Sequence, residues 1–308
     1  MYDSDSTAHL EYYRPSGSAS PVSVILTLCA SVLAGAVLSA IYAFANYHNP
    51  FIYLNILLLY GLAFALGWLT SWGVRRFHIR NAFAAAAIGV VAFVVSYAVH
   101  WLFYISTVIV YLEADFSYDV PEIIRLATEL MRDPDGAWEW IKAINEEGIW
   151  SIGSSSGSDL EFKGLLLTAV WLAEAAVLLY YSVKKPWDEA GKPYSERSGE
   201  WIEGRELPLG IAFVEDSEKF KKDVSRGDCG ALVTPLPESD DEPLKFAKVV
   251  LYADQFTPYV TVKNVTVKKK KKKSSVSEKV VVRYLKITPS TAGEVSDALA
   301  GGDRSDGA

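Results

Sequence analysis

The sequence has few of the residues from which disulfide frameworks and thiolate metal sites are built. Among its 308 residues only two are cysteines and four are histidines. Cys29 lies inside a long apolar block, whereas Cys229 lies in the charged C-terminal part, so we do not expect these two to pair. The cysteine count therefore excludes a disulfide framework and a zinc site made of several thiolates.

An excess of positive charge is also absent, since the formal net charge is −7. Proteins that bind nucleic acids neutralise phosphates with clustered Lys and Arg, so we expect no nucleic-acid partner. The sequence also lacks a nucleophile elbow, an H-E-x-x-H pair, paired intramembrane aspartates and a glycine-rich phosphate loop. We therefore predict a protein without enzymatic activity, metal or cofactor.

The sequence is instead rich in apolar residues, which are concentrated in separate blocks. Half of the chain is hydrophobic although 22% is charged, and the charges are almost absent from residues 21–112 and 164–183. A bilayer core about 30 Å thick is crossed by a helix of about 20 apolar residues. Four runs are this long or longer, namely Pro21–Tyr47, Phe51–Val74, Ala82–Leu112 and Gly164–Val183.

These runs predict a four-helix transmembrane bundle and a lipid bilayer as its surroundings. A cleaved signal peptide is the alternative for the first run, but that run is too long and its N-terminal flank has one Arg against several acids. Asn49 and Pro50 between the first two runs are typical of a tight helical hairpin. The first twenty residues form the N-terminal tail.

Basic residues in the short loops predict the orientation of the bundle. Arg75, Arg76 and Arg80 follow the second run, and Lys184 and Lys185 follow the fourth. Four spans place both groups on one side, and the positive-inside rule makes that side cytoplasmic. The loop at 113–163 has twelve acids against four bases and is expected outside. Both termini are therefore expected in the cytoplasm.

Small residues recur at a spacing of four on the first two runs. Such spacing lets helices approach closely in lipid, and it fits either packing within one chain or a homo-oligomer interface. The residues are Ser31, Gly35 and Ser39 on the first run, and Ala63, Gly67 and Ser71 on the second.

The external loop at 113–163 has the pattern of two amphipathic helices. Asp119 followed by Glu122 resembles a capping box for a helix at Pro121–Arg132, and a second helix is expected at Ala137–Glu147, after a turn at residues 133–136. Two arrangements fit the exposed Trp residues: a cap lying on the outer membrane interface, or a lid packed over the bundle.

After a linker at 184–206, residues 207–290 change to short alternating runs that predict a cytoplasmic antiparallel β domain or partial barrel. A bulge is expected near Asn264, and the Gly- and Ser-rich tail at 291–308 is expected to be disordered. The fold class is therefore α+β, a membrane α-helical bundle with a small β domain. The expected strands are Leu209–Glu215, Ala231–Leu236, Phe246–Ala253, Tyr259–Val267 and Val280–Thr288.

A few polar residues lie in apolar surroundings and are candidates for function. Glu174 lies near the middle of the fourth run, where an ionised carboxylate is costly unless it is paired or hydrated. It is either a proton or cation site or a protonated acid hydrogen-bonded between helices. His100, His48 and Asn55 are expected at similar depth near the outer end of the bundle, where they would line a vestibule or simply be structural.

A run of lysines lies between two expected strands and hence at a hairpin tip. Beside a membrane, such a run binds anionic lipid with about 1 kcal/mol per charge, or it is merely a solvated loop. The residues are Lys268, Lys269, Lys270, Lys271, Lys272 and Lys273.

Three segments resemble a widespread group of uncharacterised bacterial inner-membrane proteins. These segments are Tyr12–Gly17 before the first run, Pro50–Asn55 at the second, and Pro193–Trp201 after the fourth. In that group the last segment carries a Cys-x-x-Cys pair, whereas this chain has Ser195 and Ser198 in place of both thiols. The resemblance implies a bacterial inner membrane and no known activity.

Two hypotheses about function follow. The first is a non-enzymatic scaffold or anchor, in which the bundle presents the β domain to a protein or lipid partner. The alternative is a subunit of an oligomeric transporter or channel that uses Glu174.

Overall fold

The computed structural model divides into two compact units, which are described separately. One unit is Ser16–Gly191, and the other combines Met1–Pro15 with Lys192–Ala308. The described residues are 11–49, 51–113, 119–148, 150–152, 160–225, 228–236, 244–254, 256–270 and 273–300.

The first unit is a helical bundle built from the four predicted apolar runs. Its long helices are α1 (Pro21–His48), α2 (Ile52–Arg76), α3 (Ala82–Glu113) and α6 (Gly164–Ala190). Among the described residues, these four are long and apolar enough to cross a membrane, which confirms four long apolar helices where they were predicted.

The predicted linker at 184–206 is wrong, because α6 continues for seven residues beyond the apolar run. Its last turns are polar but carry stabilising contacts: Glu189 forms an ion pair of 3.0 Å with Arg75 of α2, and Lys184 pairs with Asp188. Hydropathy alone does not detect a helix that continues past its apolar segment. The strands β3 (Tyr194–Ser195) and β4 (Glu200–Trp201) then form a small hairpin.

The backbone of α6 packs unusually close to α2 and α3 at two glycines. A methyl group added to Gly67 would meet the carbonyl oxygen of Tyr181 at 2.5 Å, and one added to Gly89 would meet that of Ser182 at 2.1 Å. Pro186 lies four residues after Ser182 and has no N–H to donate to its carbonyl. Glycine at position 89 therefore lets the helices approach at a carbonyl that lacks its usual helical donor.

Both stripes of small residues lie at contacts within the chain, as the first of the two alternatives predicted. Ser31, Gly35 and Ser39 are buried on α1, and a methyl group added at Gly35 would collide with the Ser96 hydroxyl of α3. On α2, Ala63 is fully buried and Gly67 faces α6.

The loop between α3 and α6 contains the two predicted short helices, α4 (Val120–Arg132) and α5 (Pro134–Glu147). Asp119 caps α4 by accepting the Glu122 N–H, as predicted. The turn expected at 133–136 is wrong: Asp133 accepts the Gly136 N–H and starts α5 directly, because an Asp followed by Pro is also a helix start. Two short strands follow, β1 (Trp150–Ile152) and β2 (Leu160–Phe162).

These two helices pack as a lid on the bundle, which favours the second of the two arrangements expected for them. Ile123 and Ala127 of α4 are buried where α4 meets α3. Asn145 of α5 donates to the Gly164 carbonyl and to the Thr168 hydroxyl at the start of α6.

The second unit contains an antiparallel sheet of strands in the order β5-β6-β7-β8. Three predicted strands are confirmed, and two of them are longer than predicted. The strands are β5 (Gly204–Glu206), β6 (Lys245–Tyr252), β7 (Tyr259–Lys270) and β8 (Lys273–Lys286).

The two other strands predicted in this unit are wrong. The segment at 209–215 makes only isolated bridges through Ile211, because the Asn264 side chain takes the place of a ladder by bonding both the N–H and the carbonyl of Val214. Residues 231–236 begin instead in α8 (Gly230–Val233), after α7 (Ser217–Ser225).

The predicted bulge near Asn264 corresponds to two register shifts between β7 and β8, one between Val262 and Lys263, next to Asn264, and one at Thr261, between Val260 and Val262. Opposite Thr261, Tyr284 has a φ of 53° and donates its N–H to the Thr261 hydroxyl. This side chain replaces the missing ladder partner, which explains why the irregularity lies there.

The N-terminal tail adds to the outer edge of β8 at this bulge. Tyr13 donates its N–H to the Tyr284 carbonyl and Lys286 donates its N–H to the Glu11 carbonyl, at 2.9 and 2.8 Å. The Lys286 ammonium also lies 2.6 Å from the Glu11 carboxylate, and this hydrogen bond lowers the pKa of that carboxyl. No local pattern in the sequence indicates that residues 11–13 belong to the C-terminal unit.

The prediction of a disordered tail at 291–308 is wrong over its first part, where α9 (Pro289–Leu299) forms. Thr288 caps it, and Ala292, Val295 and Leu299 are buried in the core of this unit. Composition pointed to disorder, but apolar residues spaced by three and four form a helical face. Residues 301–308 lie outside the described residues.

We predict that Gly89→Ala destabilises the bundle by about 1–3 kcal/mol, because the added methyl overpacks against backbone that has no flexible end to move. The measurement is thermal unfolding of the purified protein in detergent. Gly61→Ala is the matched control, since nothing lies within 4 Å of a methyl group there. Equal melting temperatures for the two variants would contradict the prediction.

Candidate functional site

Buried polar side chains follow the contact between α1 and α3. On α1 they are spaced by three and four residues, so they share one face of the helix, and α3 supplies further ones opposite. The buried members are Ser31, Ser39, Tyr42 and Asn46 on α1, and Ser96, His100 and Tyr104 on α3.

Several hydroxyls in this row differ from the other buried hydroxyls of the bundle. Elsewhere the hydroxyl donates to the carbonyl four residues earlier in its own helix, as in Thr27, Thr70, Ser106, Thr107 and Ser182. By contrast, the hydroxyl oxygens of Ser31, Ser39 and Ser96 have no hydrogen-bond partner within the described part of the chain. Buried polar groups without partners are uncommon in proteins and call for an explanation.

Tyr42 and His100 lie at the centre of this row. Their rings are 4.9 Å apart, and each residue is only 5% exposed. The Tyr42 hydroxyl and the His100 Nδ1 have no hydrogen-bond partner among the described residues. Tyr104, one turn beyond His100, places its ring 6.0 Å from the imidazole.

Glu174 of α6 faces the same group of side chains. Its carboxylate is close enough to interact electrostatically with the hydroxyls of Tyr42, Tyr97 and Tyr104. Three residues earlier on α6, Trp171 packs edge-on against Trp101 of α3 with ring centres 4.7 Å apart. We call Tyr42, Tyr97, His100, Tyr104 and Glu174 the bundle cluster.

The structure does not support the alternative in which Glu174 is a protonated acid hydrogen-bonded between helices. The side chain is half-buried, and among the described residues none donates to its carboxylate and none pairs with it. In an apolar bundle an acid of this kind is a candidate for function by default.

The predicted vestibule of His100, His48 and Asn55 does not form as one group. His48 bonds the Phe44 carbonyl through Nδ1 at 2.7 Å, and the Asn49 amide donates to the Asn55 side chain at 2.5 Å. Only His100 belongs to the bundle cluster. Equal depth along a membrane normal does not fix which face of a helix a residue occupies.

A cleft of about 390 Å³ opens at the end of the bundle where α1, α3 and α5 finish. Tyr104 belongs both to this outer cleft and to the bundle cluster, so the two sites are adjacent. The lining residues are Asn46, Tyr47, Asn49, Tyr104, Val108, Leu112, Trp140, Ala143, Ile144, Glu147 and Gly148.

Sequence reasoning missed Tyr42, Tyr97 and Tyr104 because tyrosine is common in apolar helices. A signal was nevertheless present. Tyr97, His100 and Tyr104 lie three and four residues apart on α3, so polar tips recur on one helical face.

The predicted lysine run lies in the second unit, at the end of the long β7–β8 hairpin. Lys268, Lys269 and Lys270 are in β7, Lys273 is in β8, and Lys270 pairs with Lys273 across the hairpin. Lys271 and Lys272 lie outside the described residues. The described lysines of the run therefore lie at the ends of two paired strands.

Metal and thiol chemistry find no support in the described part of the chain. It contains no group of three or more His, Cys, Asp or Glu residues arranged to hold a metal ion. Burial raises the pKa of the Cys229 thiol, which disfavours the reactive thiolate.

Comparison with protein-family models, curated proteins and solved structures gives no match for this chain. The resemblance to bacterial inner-membrane proteins therefore stays a prediction, and the assignment of function depends on the geometry described above.

Proposed function

We propose that this chain is an integral membrane protein whose helices α1, α2, α3 and α6 cross a bacterial inner membrane. Support comes from their length and apolar composition and from the basic residues after α2 and α6. The tail at 11–13 and the C-terminal sheet belong to one unit. The tail and the sheet must then lie on the same side of any membrane that the bundle crosses. This requires an even number of spans, and four spans meet the requirement.

Within that membrane, we propose that the bundle binds and passes protons or small cations, as a subunit of a transporter or channel. The observation that carries this proposal is the Glu174 carboxylate, which lacks a partner among the described residues and faces three tyrosines. An acid that only holds helices together has a hydrogen-bond donor, because an unsatisfied group in hydrocarbon costs several kcal/mol. A proton or cation is the partner that the protein itself does not provide.

A second function, anchoring of the C-terminal unit, is favoured by a different observation. That unit is joined to the bundle by two chain connections, at residues 15–16 and 191–192, and the tail completes the sheet edge at Tyr284. A unit tied to membrane helices by two chain connections would be kept at the membrane, where it could bind a protein or lipid partner. The lysines of the β7–β8 hairpin would supply its contact with anionic lipid.

We predict the topology from single cysteines in a chain in which Cys29 and Cys229 are replaced by Ser. Asp135→Cys on α5 should react with a membrane-impermeant maleimide in intact spheroplasts, whereas Glu200→Cys on β4 should react only after lysis. Both positions are exposed, so burial does not limit the reaction. Labelling of position 135 from the cytoplasmic side alone would refute the proposed orientation.

We predict that Glu174→Gln abolishes proton or cation flux in proteoliposomes, since the amide keeps the size of the side chain but neither ionises nor accepts a proton reversibly. Flux should fall to the level of protein-free liposomes. Glu146→Gln is the control, because Glu146 is an exposed acid outside the bundle. Absence of flux in the wild type, or full flux in Glu174→Gln, would refute the proposed transport function.

For the anchoring function, we predict that replacing Lys268, Lys269 and Lys270 by Gln weakens binding to anionic vesicles by up to about a hundredfold, at about 1 kcal/mol per lysine. The measurement is co-sedimentation of the soluble unit, residues 192–308 fused to the tail 1–15. The control replaces Lys219, Lys221 and Lys222 of α7, which changes the net charge equally. Equal loss in both triple variants would show a general charge effect and no hairpin site.

A further inference from the structure

The outer cleft lies where three helices present their C-terminal ends. Helix α1 ends at His48, α3 at Glu113 and α5 at Glu147, and the cleft is lined from the final turns of all three. The last carbonyls of a helix have no helical N–H partner, and the helix dipole adds partial negative charge there. Three such ends around one cleft favour a positively charged occupant.

The side chains that line the cleft also favour a positively charged occupant. Among the described residues that line the cleft, Glu147 is the charged one and none is Lys or Arg. Tyr47, Tyr104 and Trp140 contribute aromatic rings, whose faces attract cations by about 0.5–2 kcal/mol each. An anion would find no compensating charge on these walls.

The remaining walls and the size of the cleft distinguish an organic cation from a metal ion. Val108, Leu112 and Ile144 are apolar, and about 390 Å³ is within the range of small-molecule sites. Divalent cations are held in proteins by carboxylates together with carbonyl oxygens and water, and Glu147 supplies the only carboxylate among the described residues that line the cleft. An ammonium group on an apolar body matches both the charge and the walls.

We infer that the outer cleft is a binding site for a small organic cation, with the ammonium group against Trp140, Tyr104 and the Glu147 carboxylate and the apolar part against Val108 and Leu112. The inference deepens the proposed cation function by naming a ligand class. It rests on that function but can fail separately from it, because none of the groups that hold the ligand is Glu174.

The test uses full-length protein in lipid nanodiscs and two probes of nearly equal shape, phenethylammonium and 2-phenylethanol. Binding is measured calorimetrically against empty nanodiscs, which subtracts partition into the lipid. Phenethylammonium should bind saturably, and at least about tenfold more tightly than the neutral alcohol, the factor that corresponds to about 1.4 kcal/mol. Equal affinities, or binding no greater than that of empty nanodiscs, would overturn the inference.

Two pairs of neighbouring residues provide matched variants. Trp140→Leu should weaken phenethylammonium binding by about tenfold, within the range of a cation–π contact, whereas Trp138→Leu on the same helix should leave it unchanged, because Trp138 is 58% exposed and does not line the cleft. Glu147→Gln should weaken binding by about threefold, the order expected for an exposed charge pair. Glu146→Gln should not.

Thermal unfolding of each variant shows whether it is folded, and the two positions are tested independently of each other. Equal effects within both pairs would overturn the inference. Glu174→Gln separates it from the proposed function: retained phenethylammonium binding together with lost flux supports both. Flux that is retained in Glu174→Gln would refute the proposed role of Glu174. The inference about the cleft is tested separately, by the comparison with 2-phenylethanol and by the matched variants.

Discussion

The close contact of α6 with α3 at Gly89 sets the geometry of the bundle. The Ser182 carbonyl lies where a side chain at position 89 would be, so the two helix backbones approach more closely than ordinary side chains allow. The two helices run in opposite directions, since Gly89 of α3 meets Ser182 of α6 whereas Trp101 of α3 meets Trp171 of α6. Tyr97 on α3 and Glu174 on α6 each lie eight residues from this contact, a distance of about 12 Å along the helix. The glycine contact thus determines what the acid faces.

The bundle satisfies its polar groups very unevenly. At the basic end, Arg75 and Glu189 pair with each other, and Thr70 and Ser71 bond carbonyls of their own helix. In the bundle cluster, by contrast, Tyr42 and His100 keep unpartnered polar atoms within the described part of the chain. Replacing such groups by apolar ones of similar shape is often neutral or stabilising, so their presence is not explained by stability. A role for them in binding a proton or cation explains both their burial and their lack of partners.

The bundle cluster and the outer cleft share Tyr104, but each would attract a cation by different means. The cleft would use helix ends, aromatic faces and the Glu147 carboxylate. The cluster offers a single acid in apolar surroundings, where a bare charge is far more costly.

The sequence by itself determined the four apolar helices, because crossing an apolar medium requires a minimum length that composition reveals directly. It also determined the start of α4 at Asp119, since helix caps are local. In the second unit, β6, β7 and β8 followed from alternation between apolar and polar residues. Glu174 was identified as a candidate because a charge inside an apolar run is conspicuous wherever the chain folds.

Only the tertiary structure decided which residues meet. His48 and Asn55 have partners of their own, whereas Tyr42, Tyr97 and Tyr104 join Glu174, because the rotation of each helix about its axis depends on packing at Gly67 and Gly89. The tail at residues 11–13 pairs with β8 across more than two hundred residues of chain, and no local pattern predicts such a contact. Likewise, α9 appeared disordered by composition, but Val295 and Leu299 are fully buried. Burial against a sheet provides the free energy that its Gly- and Ser-containing sequence lacks on its own.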